Sequence, residues 1–261
     1  MPDTAQNYAN KKLIIFDLDG TLTISKSKMD PEMMSLIADL LKKRTIAIIS
    51  GGHFGQFEEQ FLTIARYPAE LLNNLFLFPT NSTAFYRSQD GLWERVYQEA
   101  LSETEKKTIM DAFKKVFAEI NYQRPETMYG IDLEDRITQV SFSPLGQHAP
   151  VDKKEEWRAD HNDLRLDMRE RLASHLPDFE VRVGGITTID VTHKGIDKAY
   201  GIKKIEEQLH ISKADMLFVG DAIYPGGNDY AAVEAGVDYI QVSGPEEVKV
   251  LIKQLLQKSA V

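Results

Sequence analysis

A short apolar run that ends in two aspartates constrains the fold of this chain more than any other segment. Residues 13–16 read Leu-Ile-Ile-Phe, and residues 17–21 read Asp-Leu-Asp-Gly-Thr. Four consecutive apolar residues, two of them β-branched, are typical of a strand that is buried on both faces. Asp17 and Asp19 at the end of such a strand repel each other and resist burial, unless a divalent cation compensates their charge. The alternative is a strand end that carries two solvated aspartates and a glycine turn.

The charge and composition of the chain exclude several classes of binding partner and of chemistry. The 261 residues carry a formal net charge of −9, which argues against nucleic acid or an anionic membrane surface as the main partner. The absence of cysteine excludes disulfides, thiolate catalysis and cysteine-ligated zinc. The N-terminal segment is polar, and no apolar run approaches the length of a membrane span, so we expect a cytoplasmic protein without a secretory signal.

Strand and helix patterns alternate over the N-terminal part of the chain. Apolar runs at 45–49 and 75–78 repeat the pattern of 13–16, and helical periodicity separates them. This alternation predicts a parallel sheet with crossover helices. The pattern resumes near the C-terminus, where residues 216–219 and 239–242 are predicted strands. Open sheets of this kind bind ligands at the carboxyl ends of their strands, which is where the two aspartates lie.

The middle of the chain follows a different pattern, with antiparallel strand signals between amphipathic helices. The predicted order is a hairpin at 83–97, a helix at 102–121, a strand at 137–142, a helix at 152–175 and a strand pair at 179–191. We therefore interpret residues 84–190 as an inserted α+β domain, and residues 1–83 and 191–261 as the core.

Three further segments carry polar groups suited to phosphate or metal chemistry. Ser50-Gly51-Gly52 follows a predicted strand, where a hydroxyl and backbone N–H groups can hold a phosphate; a tight turn is the alternative. Lys198 lies at a predicted helix start, where a cation opposes the helix dipole and so requires an anionic partner, unless it is a solvated surface lysine. Asp221 follows another strand, and Asn228 and Asp229 come soon after, which provides the oxygen ligands that Mg²⁺ prefers; the alternative is an acidic turn.

Together these segments resemble the four motifs of the haloacid dehalogenase (HAD) phosphotransferase superfamily. The stretch Asp-Leu-Asp-Gly-Thr matches its motif I, Ser50 its motif II, Lys198 its motif III, and Gly220-Asp221 with Asn228-Asp229 its motif IV. The resemblance implies an α/β fold, in which a Rossmann-like parallel-sheet HAD core carries an inserted α+β cap domain.

The same resemblance implies Mg²⁺ as the cofactor and gives each motif residue a role. Asp17, the backbone carbonyl of Asp19 and Asp221 would bind the metal. Asp17 would attack phosphorus to form an aspartyl-phosphate, and Asp19 would protonate the leaving oxygen and later deprotonate the incoming nucleophile. Ser50 and Lys198 would hold the phosphoryl oxygens. The residues expected to support the metal and phosphate site are Gly51, Asn228 and Asp229.

Four stretches outside these motif residues resemble the eukaryotic-type phosphomannomutases more closely. They are Ser-Pro-Leu-Gly at 143–146, Gly-Gly-x-x-Thr-x-Asp-Val at 184–191, Gly-x-Asp-Lys-x-Tyr at 195–200 and Pro-Gly-Gly-Asn-Asp at 225–229. This likeness implies a cap of the IIB subfamily, which also contains sugar-phosphate phosphatases, and a small-molecule phosphosugar as substrate. A homodimer formed through the cap is an expectation from the family alone.

The substrate-binding residues that the family implies are incomplete in this chain. Arg136 matches one arginine that grips the non-reacting phosphate, whereas Gln147 stands where another is expected and Lys26 replaces a third. A lysine keeps the charge but loses the bidentate geometry of an arginine. The resemblance also carries over Thr188 and Asp190 as substrate contacts.

The weakened set of cations favours a Mg²⁺-dependent phosphohydrolase acting on a phosphosugar, because a mutase must hold a sugar bisphosphate in two orientations. Ser50 favours the same interpretation, since phosphomannomutases tend to carry glycine there. The alternative is a phosphomannomutase that interconverts mannose 1-phosphate and mannose 6-phosphate, as the agreement around Thr188 and Lys198 indicates. A third interpretation is a non-catalytic phosphosugar-binding protein, which the intact Asp17 and Asp19 disfavour, because a binder needs no nucleophile and acid.

Overall fold

The computed structural model describes Tyr8 and residues 10–24 and 27–258, with only the backbone of Lys258. The described chain divides into two units. The core unit comprises the residues up to Gln98 together with those from Asp197 onward, and the inserted unit comprises Glu99–Ile196. Each unit has hydrophobic clusters of its own.

A sheet and the helices around it build the core unit. The strands, numbered along the whole chain, are β1 (Leu13–Asp17), β2 (Thr45–Ile49), β3 (Leu75–Phe78), β4 (Ala84–Gln89), β5 (Leu92–Gln98), β10 (Met216–Gly220) and β11 (Asp238–Gln241). The helices are α1 (Pro31–Leu41), α2 (Phe54–Phe57), α3 (Thr63–Ala65), α4 (Ala69–Leu72), α5 (Pro79–Ser82), α8 (Lys198–Leu209), α9 (Tyr230–Glu234) and α10 (Pro245–Lys258). A π-helical turn (Glu58–Leu62) lies between α2 and α3, and a 3₁₀ turn spans Lys213–Asp215.

Strand β1 lies inside the core sheet, between β10 and β2. The strand order is β11-β10-β1-β2-β3-β4-β5, and the first five of these strands run parallel. All the residues of β1 are buried, and Asp17, its last residue, pairs with Ile49 at the end of β2. The carboxyl ends of β1 and β2 therefore coincide, and the predicted parallel sheet with a buried strand at 13–16 is confirmed.

Both faces of β1 pack against other elements. Ile14 and Phe16 lie in a cluster with buried residues of α1 and α10, whereas Leu13 and Ile15 lie in a second cluster with Ile202 of α8. The pleat of a strand sends alternate side chains to opposite faces, so a doubly covered strand requires a continuous apolar run. This requirement explains why the four residues of β1 before Asp17 are all apolar.

The start of α1 is fixed by its capping residues. Oδ1 of Asp30 accepts hydrogen bonds from the backbone N–H groups of Glu32 at 3.0 Å and Met33 at 3.1 Å. Pro31 occupies the first helical position, where its missing N–H costs nothing. The Asp30 cap and Pro31 thus determine where the loop after motif I ends and the first crossover helix begins.

The inserted unit packs two long helices with an antiparallel sheet. Its elements are α6 (Glu103–Glu119), β6 (Leu133–Asp135), β7 (Val140–Phe142), α7 (Val151–His175), β8 (Phe179–Gly184) and β9 (Thr188–His193), and its strand order is β6-β7-β9-β8. The predicted strand at 137–142 begins only at Val140, because Ile137 adopts a left-handed backbone with φ of 70°. The α+β character of the insertion is confirmed. In the described ranges, no helix combines the length and the apolar character needed to cross a membrane.

The hairpin β4–β5 belongs to the core sheet, which moves the first domain boundary. Strand β4 pairs antiparallel with β3, where Tyr86 lies opposite Leu77, and β5 pairs with β4 at the edge of the sheet. The boundary lies after Gln98 instead of at the predicted 83/84, because the β3 backbone takes the hairpin as its hydrogen-bonding partner. The second boundary lies after Ile196 instead of at 190/191, because β9 continues to His193 in the sheet of the inserted unit.

Candidate active site

Three carboxylates meet near the carboxyl ends of β1 and β10. Asp17 is the last residue of β1, Asp221 follows β10, and Asp229 precedes α9. One oxygen atom from each carboxylate lies within 4.8 Å of the other two. Asn228, which precedes Asp229 in the chain, is exposed. The structure thus brings together three of the acidic residues that the sequence singled out.

Lys198 provides a positive charge within this carboxylate cluster. Its Nζ lies 2.5 Å from Oδ1 of Asp17 and 3.3 Å from Oδ1 of Asp229, and its side chain is 1% exposed. It is the first residue of α8, whose N-cap residue Asp197 accepts a hydrogen bond from the backbone N–H of Tyr200. Burial lowers the pKa of Lys198, but Asp17 and Asp229 raise it by more, so the side chain remains an ammonium.

The cluster carries more negative than positive charge. Burial raises the pKa of Asp17 well above its usual range, against the opposing effect of Lys198. Burial also raises the pKa of Asp221, and the nearby charge of Asp229 adds to both increases. Three carboxylates beside one ammonium are the surroundings in which a divalent cation is stabilised, and hard oxygen ligands suit Mg²⁺.

Gly20 lets motif I pass close to Asp221. Its φ is +91°, and a Cβ atom built there would lie 2.6 Å from Oδ2 of Asp221. Thr21, the next residue, donates from Oγ1 to Oδ1 of Asp221 at 3.3 Å. Both features fix the Asp221 carboxylate opposite the end of β1. The donor set of Asp17, Asp221 and Asp229 therefore fits a bound Mg²⁺ ion in chemistry and in space.

The carboxylate of Asp19 is held by two glutamines. Nε2 of Gln56 donates to Oδ2 of Asp19 at 2.6 Å, and Nε2 of Gln60 donates to Oδ1 at 3.0 Å. Neither glutamine belongs to a motif that is recognisable in the sequence. Gln60 lies in the π-helical turn, and the helical periodicity of this segment gives no sign of that turn. The backbone carbonyl of Asp19 remains the group predicted to bind metal.

Ser50 and Gly51 lie at the carboxyl end of β2, beside a left-handed turn. The backbone N–H of Gly52 donates to Oγ of Ser50 at 3.0 Å. The backbone N–H of Asn81 donates to the carbonyl of Ser50 at 2.8 Å, and that of Thr80 to the carbonyl of Gly52 at 2.8 Å. Thr80 and Asn81 both have positive φ, at 48° and 54°. The loop that the sequence predicts to contact phosphate is therefore fixed by the turn after β3.

Two of the predicted substrate contacts lie together on the sheet of the inserted unit. Thr188 and Asp190 are two residues apart on β9 and so face the same side. Oγ1 of Thr188 donates to the carbonyl of Gly184 at 2.5 Å, and Oδ1 of Asp190 accepts from Oγ of Ser141 at 2.6 Å. A Cβ on Gly184 would overlap with Oδ2 of Asp190, so glycine makes the space that these polar groups occupy.

Arg136 is buried in the inserted unit, where its side chain donates to polar groups. Its Nε donates to Oε2 of Glu134 at 2.6 Å, and its Nη2 donates to Oε1 of Gln147 at 2.7 Å. Gln147, which replaces an arginine expected from the resemblance, thus contacts the arginine that remains. Lys26, the other cation predicted to bind substrate, lies outside the described residues.

Comparisons with known proteins identify the family. The family profile described as eukaryotic phosphomannomutase matches residues 33–258. The phosphomannomutase of Encephalitozoon cuniculi is 26% identical over 258 residues, which cover 95% of this chain and 94% of that protein. The phosphomannomutase of Saccharomyces cerevisiae is 26% identical over 245 residues, which cover 92% of each.

Solved structures share the fold at lower identity. Plasmodium falciparum IMP-nucleotidase superposes with a TM-score of 0.72 at 16% identity, covering 98% of this chain and 71% of that one. Aspergillus fumigatus trehalose-6-phosphate phosphatase superposes with a TM-score of 0.57 at 15% identity, covering 98% of both chains. These likenesses show the fold alone, which is the Rossmann-like HAD core with an inserted cap.

The sequence comparisons favour the mutase over the phosphohydrolase that the weakened set of cations predicts. The relatives named above are phosphomannomutases, and they match over nearly the whole chain. Together with the carboxylate cluster, the comparisons show an enzyme of the HAD superfamily that acts on phosphosugars. The chain belongs to the eukaryotic phosphomannomutase family.

Proposed function

We propose that this protein is a Mg²⁺-dependent phosphomannomutase, which moves a phosphoryl group between the two ends of a hexose phosphate through an aspartyl-phosphate at Asp17. The observation that carries the proposal is the buried ion pair of Asp17 with Lys198 inside the carboxylate cluster. A carboxylate acts as a nucleophile when it is fixed and ionised, and both conditions are supported by that pair. The family match supports the class of substrate.

In the first step, an oxygen of Asp17 forms a bond to one phosphorus atom of a hexose 1,6-bisphosphate. The bond from that phosphorus to the sugar oxygen breaks, and a hexose monophosphate remains. Asp19 gives its proton to that oxygen, which leaves as a hydroxyl group. Lys198 and Ser50 hold the phosphoryl oxygens, and Asp229 keeps Lys198 in place from its other side. When bound to Asp17, Asp221 and the carbonyl of Asp19, Mg²⁺ would neutralise charge on the phosphoryl group.

In the second step, the free hydroxyl group of a hexose monophosphate bound in the opposite orientation gives its proton to Asp19 and attacks phosphorus, which restores a bisphosphate. The bond between phosphorus and Asp17 breaks, and both carboxyl groups return to their starting states. We assign the contacts with the sugar to Thr188 and Asp190, and those with the second phosphate to Arg136 and Lys26. The inserted unit would then select the substrate, as a cap does.

A phosphohydrolase is the second candidate, because one observation favours it. Arg136 already donates to Glu134 and Gln147, so part of its capacity to bind a second phosphate is used within the inserted unit. A weakly held bisphosphate would dissociate before it turned around, and water would then take the place of the sugar hydroxyl. The chemistry at Asp17 and Asp19 would be the same in both cases.

The deciding experiment follows phosphorus by ³¹P NMR. Purified protein with Mg²⁺ is incubated with mannose 1-phosphate or glucose 1-phosphate, with and without a hexose 1,6-bisphosphate activator, beside an Asp17→Asn control. The mutase predicts conversion of the 1-phosphate into the 6-phosphate, dependent on the bisphosphate, with little free phosphate. Steady release of free phosphate without the 6-phosphate would replace the mutase by the phosphohydrolase. If the wild-type protein produces neither the 6-phosphate nor free phosphate and so matches Asp17→Asn, the protein binds phosphosugars without catalysis.

A further inference from the structure

The Asp19 carboxylate has a separate hydrogen-bond donor for each of its two oxygens. Gln56 donates to Oδ2 at 2.6 Å and Gln60 donates to Oδ1 at 3.0 Å. Both glutamines are more than nine-tenths buried, at 8% and 2% exposure, whereas Asp19 is half-buried. A carboxylate that accepts on both oxygens from buried donors has one preferred rotamer. The fixed group here is the proposed acid and base of the reaction.

The two amides are themselves held in place. Nε2 of Gln56 also lies 3.3 Å from Oε1 of Gln60, and Nε2 of Gln60 lies 3.4 Å from Oγ1 of Thr23. The backbone carbonyl of Gln60 accepts from the N–H of Met29 at 2.8 Å. These contacts tie the amide pair to both ends of the loop that follows motif I. The pair is therefore a supported arrangement of buried polar groups, as positioning requires.

The loop after β2 also leaves space for this arrangement. A Cβ atom on Gly52 would lie 2.0 Å from Oε1 of Gln56, although the backbone of Gly52 is not left-handed. The glycine is thus needed for the space beside the Gln56 amide and not for an unusual φ. Gln60 lies in a π-helical turn, a rare geometry that occurs frequently at functional sites.

The neutral charge of the amides suits a group that must both give and take a proton. A lysine or arginine in the same place would fix the carboxylate as well, but would bind its anionic form as a permanent counter-ion. A carboxamide orients the carboxyl group without adding charge to a site that already contains Lys198 and three other carboxylates. The chemistry of the donors therefore matches the two opposite proton transfers proposed for Asp19.

We infer that Gln56 and Gln60 are positioning residues, which hold the Asp19 carboxyl group in the one orientation that delivers its proton to the leaving oxygen. This inference rests on the proposed function, because it assigns the glutamines a role through Asp19. It predicts that their loss slows the reaction only in the steps where Asp19 transfers a proton. A substrate whose leaving group needs no proton therefore distinguishes those steps from the others.

The test compares two substrates in Gln56→Met, Gln60→Met and the double variant. The sugar oxygen of mannose 1-phosphate needs a proton to leave, whereas p-nitrophenolate leaves from p-nitrophenyl phosphate without one. Turnover of mannose 1-phosphate should fall by about 10- to 100-fold, part of the usual contribution of general acid–base catalysis. The burst of p-nitrophenolate, which reports phosphorylation of Asp17, should keep its wild-type rate, while the later steady-state rate falls.

Two further variants separate positioning from a structural role. Gly52→Ala keeps both glutamines but places a methyl group where the Gln56 amide lies, so it should reproduce the Gln56→Met pattern. Asn74→Ser removes an amide that donates to the carbonyl of Leu41 at 3.1 Å before the start of β3, at the other end of the sheet. It should lower the melting temperature without changing the ratio of the two rates.

The outcomes that overturn the inference are distinct from failure of the proposed function. If the burst rate and mannose 1-phosphate turnover fall by the same factor in the glutamine variants, the glutamines are structural and the inference is wrong. It is also wrong if Gln60→Met and the double variant turn over mannose 1-phosphate at the wild-type rate. Wild-type protein that reacts with neither phosphate ester would overturn the proposed function, and the inference with it.

Discussion

The Nζ atom of Lys198 lies 2.5 Å from Oδ1 of Asp17, and both side chains are almost completely buried. The two residues are 181 positions apart in the chain, on α8 and β1. Their contact therefore joins the two sequence segments of the core unit, and it places the proposed nucleophile beside its cation. Removing one member of a buried ion pair destabilises the folded state, because the remaining charge is neither solvated by water nor compensated by an opposite charge.

Replacing Lys198 should destabilise the protein strongly. Lys198→Met leaves Asp17 and Asp229 without their common partner, so the free energy of unfolding at neutral pH should fall by about 3–5 kcal/mol. Urea unfolding without Mg²⁺ measures the change. Lys203→Met is the matched control, because Lys203 lies on the same helix with a side chain that is 70% exposed. Equal destabilisation by the two substitutions would contradict the prediction.

Replacing Asp17 should abolish turnover while the fold remains. Asp17→Asn preserves the size of the side chain at the end of β1 but removes the charge that would attack phosphorus, so turnover should fall by about 10⁴-fold or more. Intact-mass spectrometry after incubation with a hexose 1,6-bisphosphate should show an added phosphoryl group on the wild-type protein and none on the variant. Phosphorylation of Asp17→Asn at wild-type extent would place the nucleophile elsewhere.

The stabilising effect of Mg²⁺ should grow with pH. Burial raises the pKa values of Asp17 and Asp221, so their contribution to stability is greatest below the unfolded pKa and is lost as pH rises through the folded pKa. Mg²⁺ binds the ionised groups and removes this penalty. The increase in melting temperature on adding MgCl₂ should therefore be larger at about pH 8 than at about pH 5.

Asp221→Asn tests whether these carboxylates cause that trend. The substitution removes one of the two shifted groups and one oxygen anion of the cluster, so the dependence of the Mg²⁺ effect on pH should weaken. The same increase in melting temperature at both pH values in the wild-type protein would exclude Asp17 and Asp221 as the binding groups.

The parallel sheet and the carboxylate cluster could be predicted because their signals are local. An apolar run that ends in aspartate predicts both a buried strand and the end at which its carboxylate lies, and this holds for Asp17 and for Asp221. The domain boundary could not be predicted in the same way. The alternation of apolar and polar residues at 84–98 indicates strands, but it does not determine whether these strands pair with β3 or with the sheet of the inserted unit.

The glutamines beside Asp19 lacked any comparable signal. Gln56 and Gln60 read as two polar residues in an amphipathic helix, where solvated side chains are the ordinary expectation. The π-helical turn changes the direction in which Gln60 points, and Gly52 makes room for Gln56. Both effects depend on how the segment packs against motif I, so they become visible only in three dimensions.

Gly20 should be needed for metal binding and not merely for the turn. Gly20→Ala places a methyl group within 2.6 Å of Oδ2 of Asp221, so the carboxylate must move and the dissociation constant for Mg²⁺ should rise by about 10-fold or more. Gly236→Ala is the matched control, because its φ of +85° is similar and no atom lies within 4 Å of the added Cβ. Both substitutions carry the left-handed strain of about 1–2 kcal/mol, which unfolding measures. Isothermal titration calorimetry with MgCl₂ should show weaker Mg²⁺ binding for Gly20→Ala alone. Equally weaker binding in both variants would mean that Gly20 is needed only for the turn.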